Sequence, residues 1–205
     1  KKEIDNLVKA IPQQNKTSLT HYVVRRKLVL DLFDKILKRK LEIQKESKTN
    51  FDEALIHNLL FQQGSDNPEK SDLWLINEEF IYFKGSSEEK LCDIKINGKK
   101  ILNEQFSEKE EEYLLSLGEN RKIKRPDILL FPDEGKCIII ELKNPDVNIS
   151  DHISQINKYA FLVRNYSKEE LHLETFYGYL IGEKFNTNDV RGADSYFQEA
   201  YHFDY

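Results

Sequence analysis

Apolar residues recur every four positions between His21 and Lys40, at Val24, Leu28, Leu32 and Ile36, flanked by Val29, Phe33 and Leu37. That spacing predicts an amphipathic helix with a wide apolar face and Arg25, Arg26, Lys27, Lys35, Lys38, Arg39 and Lys40 on its polar side. Residues 1–20 are polar, carry Pro12-Gln13-Gln14-Asn15, and read as a linker or a frayed helix. A second helix opens at Asn50, with Phe51, Leu55 and Leu59 on one stripe. After the loop Gly64–Lys70 come short apolar runs, Leu73–Ile76, Phe80–Phe83, Leu91–Ile96 and Lys100–Leu102, which are strand candidates. Asn97-Gly98 between the last two is a strong hairpin signal. Ser107–Leu117 reads as a helix capped by Ser107 and ended by Gly118.

The second half is more sharply patterned. Ile128–Phe131 is a short apolar run, Pro132-Asp133-Glu134-Gly135 is dense in turn residues, and Cys137–Ile140 is continuous and rich in β-branched residues. A run apolar at every position suits a strand covered on both faces, central in its sheet. Asn144-Pro145 stops it, Ser150 or Asn148 can cap a helix over Asp151–Tyr166, and Leu171–Ile181 reads as a further strand reached by a βαβ-like crossover. The last residues, Gly182–Tyr205, have no clear period. The expected class is α/β, a mixed central sheet flanked by helices, with an N-terminal helical arm over residues 1–48 and the main domain over 49–205.

Composition narrows the reading. With 39% hydrophobic and 33% charged residues among 205, the chain is expected to fold around a real core. No apolar run approaches the ~20 residues of a membrane span, and the first residues lack the apolar stretch of a signal peptide. Cys92 and Cys137 lie in apolar runs and read as core residues, so the cytoplasm is the natural location. A net charge of −5 argues mildly against non-specific nucleic-acid binding by the whole surface, though a local basic patch is compatible with it. The chain contains no Met, and a piece of a longer protein is expected.

The polar residues on the Ile128–Ile140 hairpin carry the chemistry. If Phe131 pairs with Cys137, Leu129 faces Ile139 and Asp127 faces Glu141, with cross-strand Cβ atoms about 5 Å apart. Lys143 shares that face. Two carboxylates and an ammonium then converge at one end of an apolar hairpin, an arrangement that calls for a proton or a cation between the acids. A hard cation with oxygen ligands, magnesium for instance, resolves the conflict. A one-residue slip of register would destroy the constellation.

Pro126-Asp127, thirteen intervening residues and Glu141-Leu142-Lys143, followed by a helix bearing Gln155 and Tyr159, resemble the signature of the PD-(D/E)XK nuclease superfamily. The resemblance is strong over about 40 residues and weaker from Asn50 onward. It implies a restriction-endonuclease-like sheet and a metal-dependent endonuclease acting on phosphodiester bonds, of DNA before RNA. Asp127 and Glu141 would hold magnesium or manganese, with the Leu142 carbonyl as a further ligand. Lys143 would position or activate the attacking water, and Gln155 and Tyr159 would orient water or backbone phosphate. An early-helix Glu often completes such a site, which offers Glu53 a role; capping of its own helix from Asn50 is the competing one. His57, one turn on, shares the face of Glu53. Arg121, Lys122, Lys124 and Arg125, immediately before Asp127, are expected to contact phosphate or else to be a structural basic linker.

A catalytically silent nuclease-like module for nucleic-acid binding or partner docking is the alternative. The order of helices, the LWLIN run and the nuclease motif also resemble C-terminal regions of bacterial proteins with a GHKL-type ATPase module upstream, suspected to act in defence against phage. An upstream ATPase module is therefore an expected partner, and the nuclease resemblance implies pairing of two copies. Elsewhere the chain has no Gly-rich phosphate loop, zinc-ligand spacing or Ser-His-Asp arrangement.

Overall fold

The computed structural model describes residues 13–46, 52–103, 106–116, 125–131, 135–144, 147–182, 184 and 186–193. Helices α1 (Gln13–Leu37), α2 (Glu42–Glu46) and α3 (Asp52–Leu60) lead into β1 (Lys84–Ser87). A small hairpin of β2 (Lys95–Ile96) and β3 (Lys99–Lys100) and helix α4 (Glu108–Ser116) follow. Then come β4 (Ile128–Phe131), β5 (Lys136–Leu142), α5 (Ile153–Tyr166), β6 (Thr175–Ile181) and α6 (Thr187–Ala193).

Among the described residues four strands form the central sheet in the order β1-β4-β5-β6. The β1–β4 and β4–β5 pairs are antiparallel, and β5–β6 is parallel, joined through α5 as the crossover pattern predicts. The architecture is the expected mixed sheet with flanking helices and an N-terminal helical arm. The register is the predicted one: Ile128 pairs with Ile140, Leu129 with Ile139 and Leu130 with Ile138. Successive side chains alternate between two cores. Leu129, Phe131, Cys137 and Ile139 pack against Tyr159, Leu162 and Val163 of α5. Ile128, Leu130, Ile138, Ile140 and Leu142 pack against Ile36 of α1 and Ile56 and Leu60 of α3. Both faces are covered, which is why Ile128–Phe131 and Cys137–Ile140 are apolar at every position.

Two runs expected as strands are short 3-10 turns, Leu73–Leu75 and Glu78–Tyr82. Leu73 and Phe80 are buried anchors in the α1–α3 core, and the Asn77 side chain accepts from the Glu79 N–H to start the second turn. Their apolar character marks burial, not extension. The edge strand is instead the polar Lys84–Ser87, where Gly85 is required because a Cβ there would lie 2.5 Å from the Leu129 carbonyl oxygen. In Leu91–Ile96 only the last two residues are strand. The Asn97-Gly98 turn has φ of 53° and 78°, both positive as a two-residue hairpin of this twist needs. Gly118 and Asn50 lie outside the described residues.

The arm is helical from Gln13, inside the segment expected as linker or frayed helix. Ile36 and Val29 of its stripe are buried, whereas Val24 and Leu28 are exposed. Arg25 and Arg26, expected on a solvated face, reach the rest of the domain. Arg25 forks onto Asp72, while Arg26 forks onto Glu78 and lies over the Tyr22 and Trp74 rings, 4.5 and 4.3 Å from their centroids. At the other end of the arm, the buried Asp52 forms an ion pair with Arg39 Nε at 2.7 Å and accepts a hydrogen bond from Gln44 Nε2 at 2.8 Å, tying α3 to α2 and to the residues that follow α1. A hydrogen bond to a buried carboxylate contributes roughly 1.5–3 kcal/mol. Asp52→Ala is expected to lower the melting temperature by on the order of 5 °C, at about 2–4 °C per kcal/mol for a chain this size. An unchanged thermal melt would remove this clasp from the account.

Candidate metal centre

The odd-numbered face of β4 and β5 continues past the last apolar pair, and there the chemistry begins. Asp127 stands opposite Glu141, and each carboxylate is tied to the other's backbone: the Asp127 N–H donates to Glu141 Oε1 at 3.2 Å, and the Leu142 N–H donates to Asp127 Oδ2 at 2.7 Å. The two carboxyl groups interact directly. Glu141 is fully buried, with Lys143 Nζ 3.2 Å from its Oε2. Helix α5 covers this face, so Gln155 Nε2 also donates to Glu141 Oε2, at 2.7 Å, and lies 3.3 Å from the Tyr159 hydroxyl. Tyr159 in turn donates to the Arg125 carbonyl at 2.8 Å. The one-turn spacing of Gln155 and Tyr159 thus gives α5 a polar edge that holds Glu141 and the approach to Asp127 together.

Helix α3 reaches the same end of the sheet from the other face. Glu53 lies within electrostatic range of Lys143 and Asp127 and accepts a hydrogen bond from the Asn144 backbone. Asn50, its partner in the capping role, lies outside the described residues. His57 is 1% exposed and closes the next turn of α3. Its Nε2 sits 2.7 Å from the Ser87 hydroxyl, and its Nδ1 lies 3.7 Å from Glu88 Oε1. Glu88, at a positive φ of 53°, ends β1, and its N–H donates to the Asp127 carbonyl at 2.9 Å. An imidazole nitrogen of His57 and carboxylate oxygens of Glu88 and Asp127 lie within 4.8 Å of one another.

Sequence reasoning identified Asp127, Glu141, Leu142, Lys143, Gln155, Tyr159 and Glu53, and these come together. It missed Glu88, because β1 reads Lys-Gly-Ser-Ser, with no apolar period to mark a strand leading to it. Arg125 is exposed beside the site. Arg121, Lys122 and Lys124 lie outside the described residues.

The electrostatics follow from burial. Burial first, and then the charge of Asp127, lifts the Glu141 carboxyl from its ordinary 4.5 to about 7, against the pull of Lys143. Burial raises Asp127 and Glu53 as well and lowers His57, which favours its neutral form. One buried and two half-buried acids near a single lysine make a set of hard oxygens of the kind that could hold a divalent cation.

A family description, the N terminus of the type I restriction enzyme R protein, matches residues 18–185. The chain belongs to that family. No curated protein and no solved structure matches it. Among the described residues no helix is long and apolar enough to cross a membrane.

Because Glu141 is protonated more readily in the folded chain than in the unfolded one, its contribution to stability falls as pH rises from about 4.5 to about 7 and is flat above. His57 works in the opposite direction, so the difference between wild type and Glu141→Gln isolates the effect. In metal-free buffer the variant is expected to gain several degrees in melting temperature relative to wild type between pH 5 and 8. A difference that does not change with pH would contradict the buried-acid assignment.

Proposed function

We propose that this domain is a metal-dependent nuclease that hydrolyses phosphodiester bonds, of DNA in the first place. The observation that carries the reading is the convergence of Asp127, Glu141 and Lys143 at one end of β4–β5, with Gln155 against Glu141 and Glu53 beside them. Membership in a restriction-enzyme family supports the choice of DNA. The sequence spacing from Pro126-Asp127 to Glu141-Leu142-Lys143, with Gln155 and Tyr159 on the next helix, supports the PD-(D/E)XK assignment.

Asp127, Glu141, the Leu142 carbonyl and Glu53 would hold a divalent ion, which when bound would supply Lewis acidity toward a phosphoryl oxygen and lower the pKa of water. The chain's own groups do the rest. Lys143, held by Glu141, stands where it can orient the attacking water and offset charge that builds on phosphorus-bound oxygen. Water adds to phosphorus in line with the departing oxygen, the P–O bond to that oxygen breaks, and it leaves with a proton. Gln155 keeps Glu141 in place and Tyr159 holds the Arg125 backbone. Arg125, and Arg121, Lys122 and Lys124 that precede it in the sequence, would provide cations to offset an acidic site that otherwise repels a polyanion. The association with an upstream GHKL-type ATPase and with phage defence rests on sequence pattern alone, as does pairing of two copies.

Plasmid cleavage in magnesium or manganese is expected to be abolished by chelation and reduced at least about 100-fold by Asp127→Ala or Lys143→Ala. Circular dichroism should be unchanged in both variants. Undiminished cleavage by either folded variant would remove it from the site.

A further inference from the structure

Helix α1 is apolar on more sides than the domain covers. Val29 and Ile36 are buried and Phe33 is half-buried, which fixes the side that packs. On one flank of that side Leu19, Val23 and Leu30 are 57%, 57% and 50% exposed, and on the other Val24, Leu28 and Leu32 are 50%, 63% and 38% exposed. A helix with a single packed face keeps its apolar residues to one stripe, whereas one that is apolar nearly all round is buried in its working state. Contiguous exposed hydrocarbon of this extent marks a surface that another molecule covers.

The two flanks differ in their surroundings. Arg26 lies between Val23 and Leu30 on the first, and it reaches Glu78 and covers the Trp74 ring, so that flank runs beside the domain. The second flank turns away, because Leu28 stands about 100° around the helix from the buried Val29. Val24, Leu28 and Leu32 recur at four-residue spacing and so form one ridge, of the kind that seats in the groove of another helix. This ridge is symmetric about Leu28. Laid antiparallel on the same ridge of a second copy, Leu28 meets its own counterpart and Val24 meets Leu32 in both directions, as a two-fold interface requires. Charge agrees with that direction. Lys27 and Asp31, both exposed, are one turn apart on the same side of the ridge, and antiparallel packing brings Lys27 of each copy beside Asp31 of the other.

We infer that the ridge of Val24, Leu28 and Leu32 is an interface between two copies of this chain, with their arms packed antiparallel. At about 100 Å² for each half-exposed side chain, and as much again for each of the Lys27 and Lys35 stems alongside, a copy contributes on the order of 500 Å². The total of about 1,000 Å² is at the lower limit of a specific interface, so the dimer is reversible and of roughly micromolar affinity. The pairing follows from the exposed side chains of α1 and does not rest on the nuclease reading.

Sedimentation velocity of the whole chain, from micromolar to submillimolar concentration, tests it, with circular dichroism to confirm that each variant folds. Wild type is expected to pass from monomer to dimer. Leu28→Lys is expected to weaken the dimer at least about 30-fold, and Leu30→Lys, on the other flank, to leave it intact. Asp31→Lys should weaken it as well, and adding Lys27→Asp to that change should restore it. A folded wild type that stays monomeric overturns the pairing and leaves the ridge to a different chain or a lipid surface. A dimer that survives Leu28→Lys overturns it too, whether or not Leu30→Lys disrupts it.

Discussion

Asp127 and Glu141 face each other at the end of an antiparallel strand pair whose paired positions, Ile128–Leu130 and Ile138–Ile140, are buried hydrocarbon, and most of what surrounds them can be understood as a response to that opposition. Like charges at the end of a desolvated hairpin raise each other's proton affinity and weaken the pairing that holds them. The chain answers with backbone N–H groups, one to each carboxylate, with Lys143 and Gln155 on Glu141, and with α3 bringing further polar groups to the open end. None of these neutralises the whole charge, which is why a cation is the natural complement.

The sheet's two-sided burial makes the opposition stable in place. Leu129 and Ile139 lock one face against α5, and Ile128 and Ile140 lock the other against α1 and α3. A slip by one residue would turn both sets out of their cores, so the register that packs the hydrocarbon is the one that pairs the acids. The arm contributes to the same end: through Arg39 and Gln44 it holds Asp52, and Asp52 sits immediately before Glu53. Packing, clasp and chemistry are therefore linked along one path from α1 to the carboxylates.

Legibility in the sequence followed the strength of the local signal. Strands β4 and β5, their register and the crossover to β6 were readable because continuous apolar runs, a turn and a 3.6-residue period leave few alternatives. The meeting of Asp127, Glu141 and Lys143 was readable for the same reason, since their positions follow from that pattern, whereas Gln155 stood out only through the resemblance of its helix to the nuclease signature. Leu73 and Phe80 misled because an apolar residue records burial, and a 3-10 turn anchored in a core looks like a short strand. Glu88 was invisible: its strand is all Lys, Gly and Ser, and it reaches the site through tertiary pairing of Ser87 with Ile128. Arg25 and Arg26 were misjudged because their partners, Asp72 and Glu78, are roughly fifty residues away in sequence.

The central claim is that the opposed carboxylates are arranged for a cation, and calorimetric titration of magnesium into the wild-type chain beside Asp127→Ala tests it without requiring substrate or any partner. The account predicts heat from a saturable site in wild type and none in the variant, with both chains folded. Equal binding in the two, or no binding in a folded wild type, would contradict it.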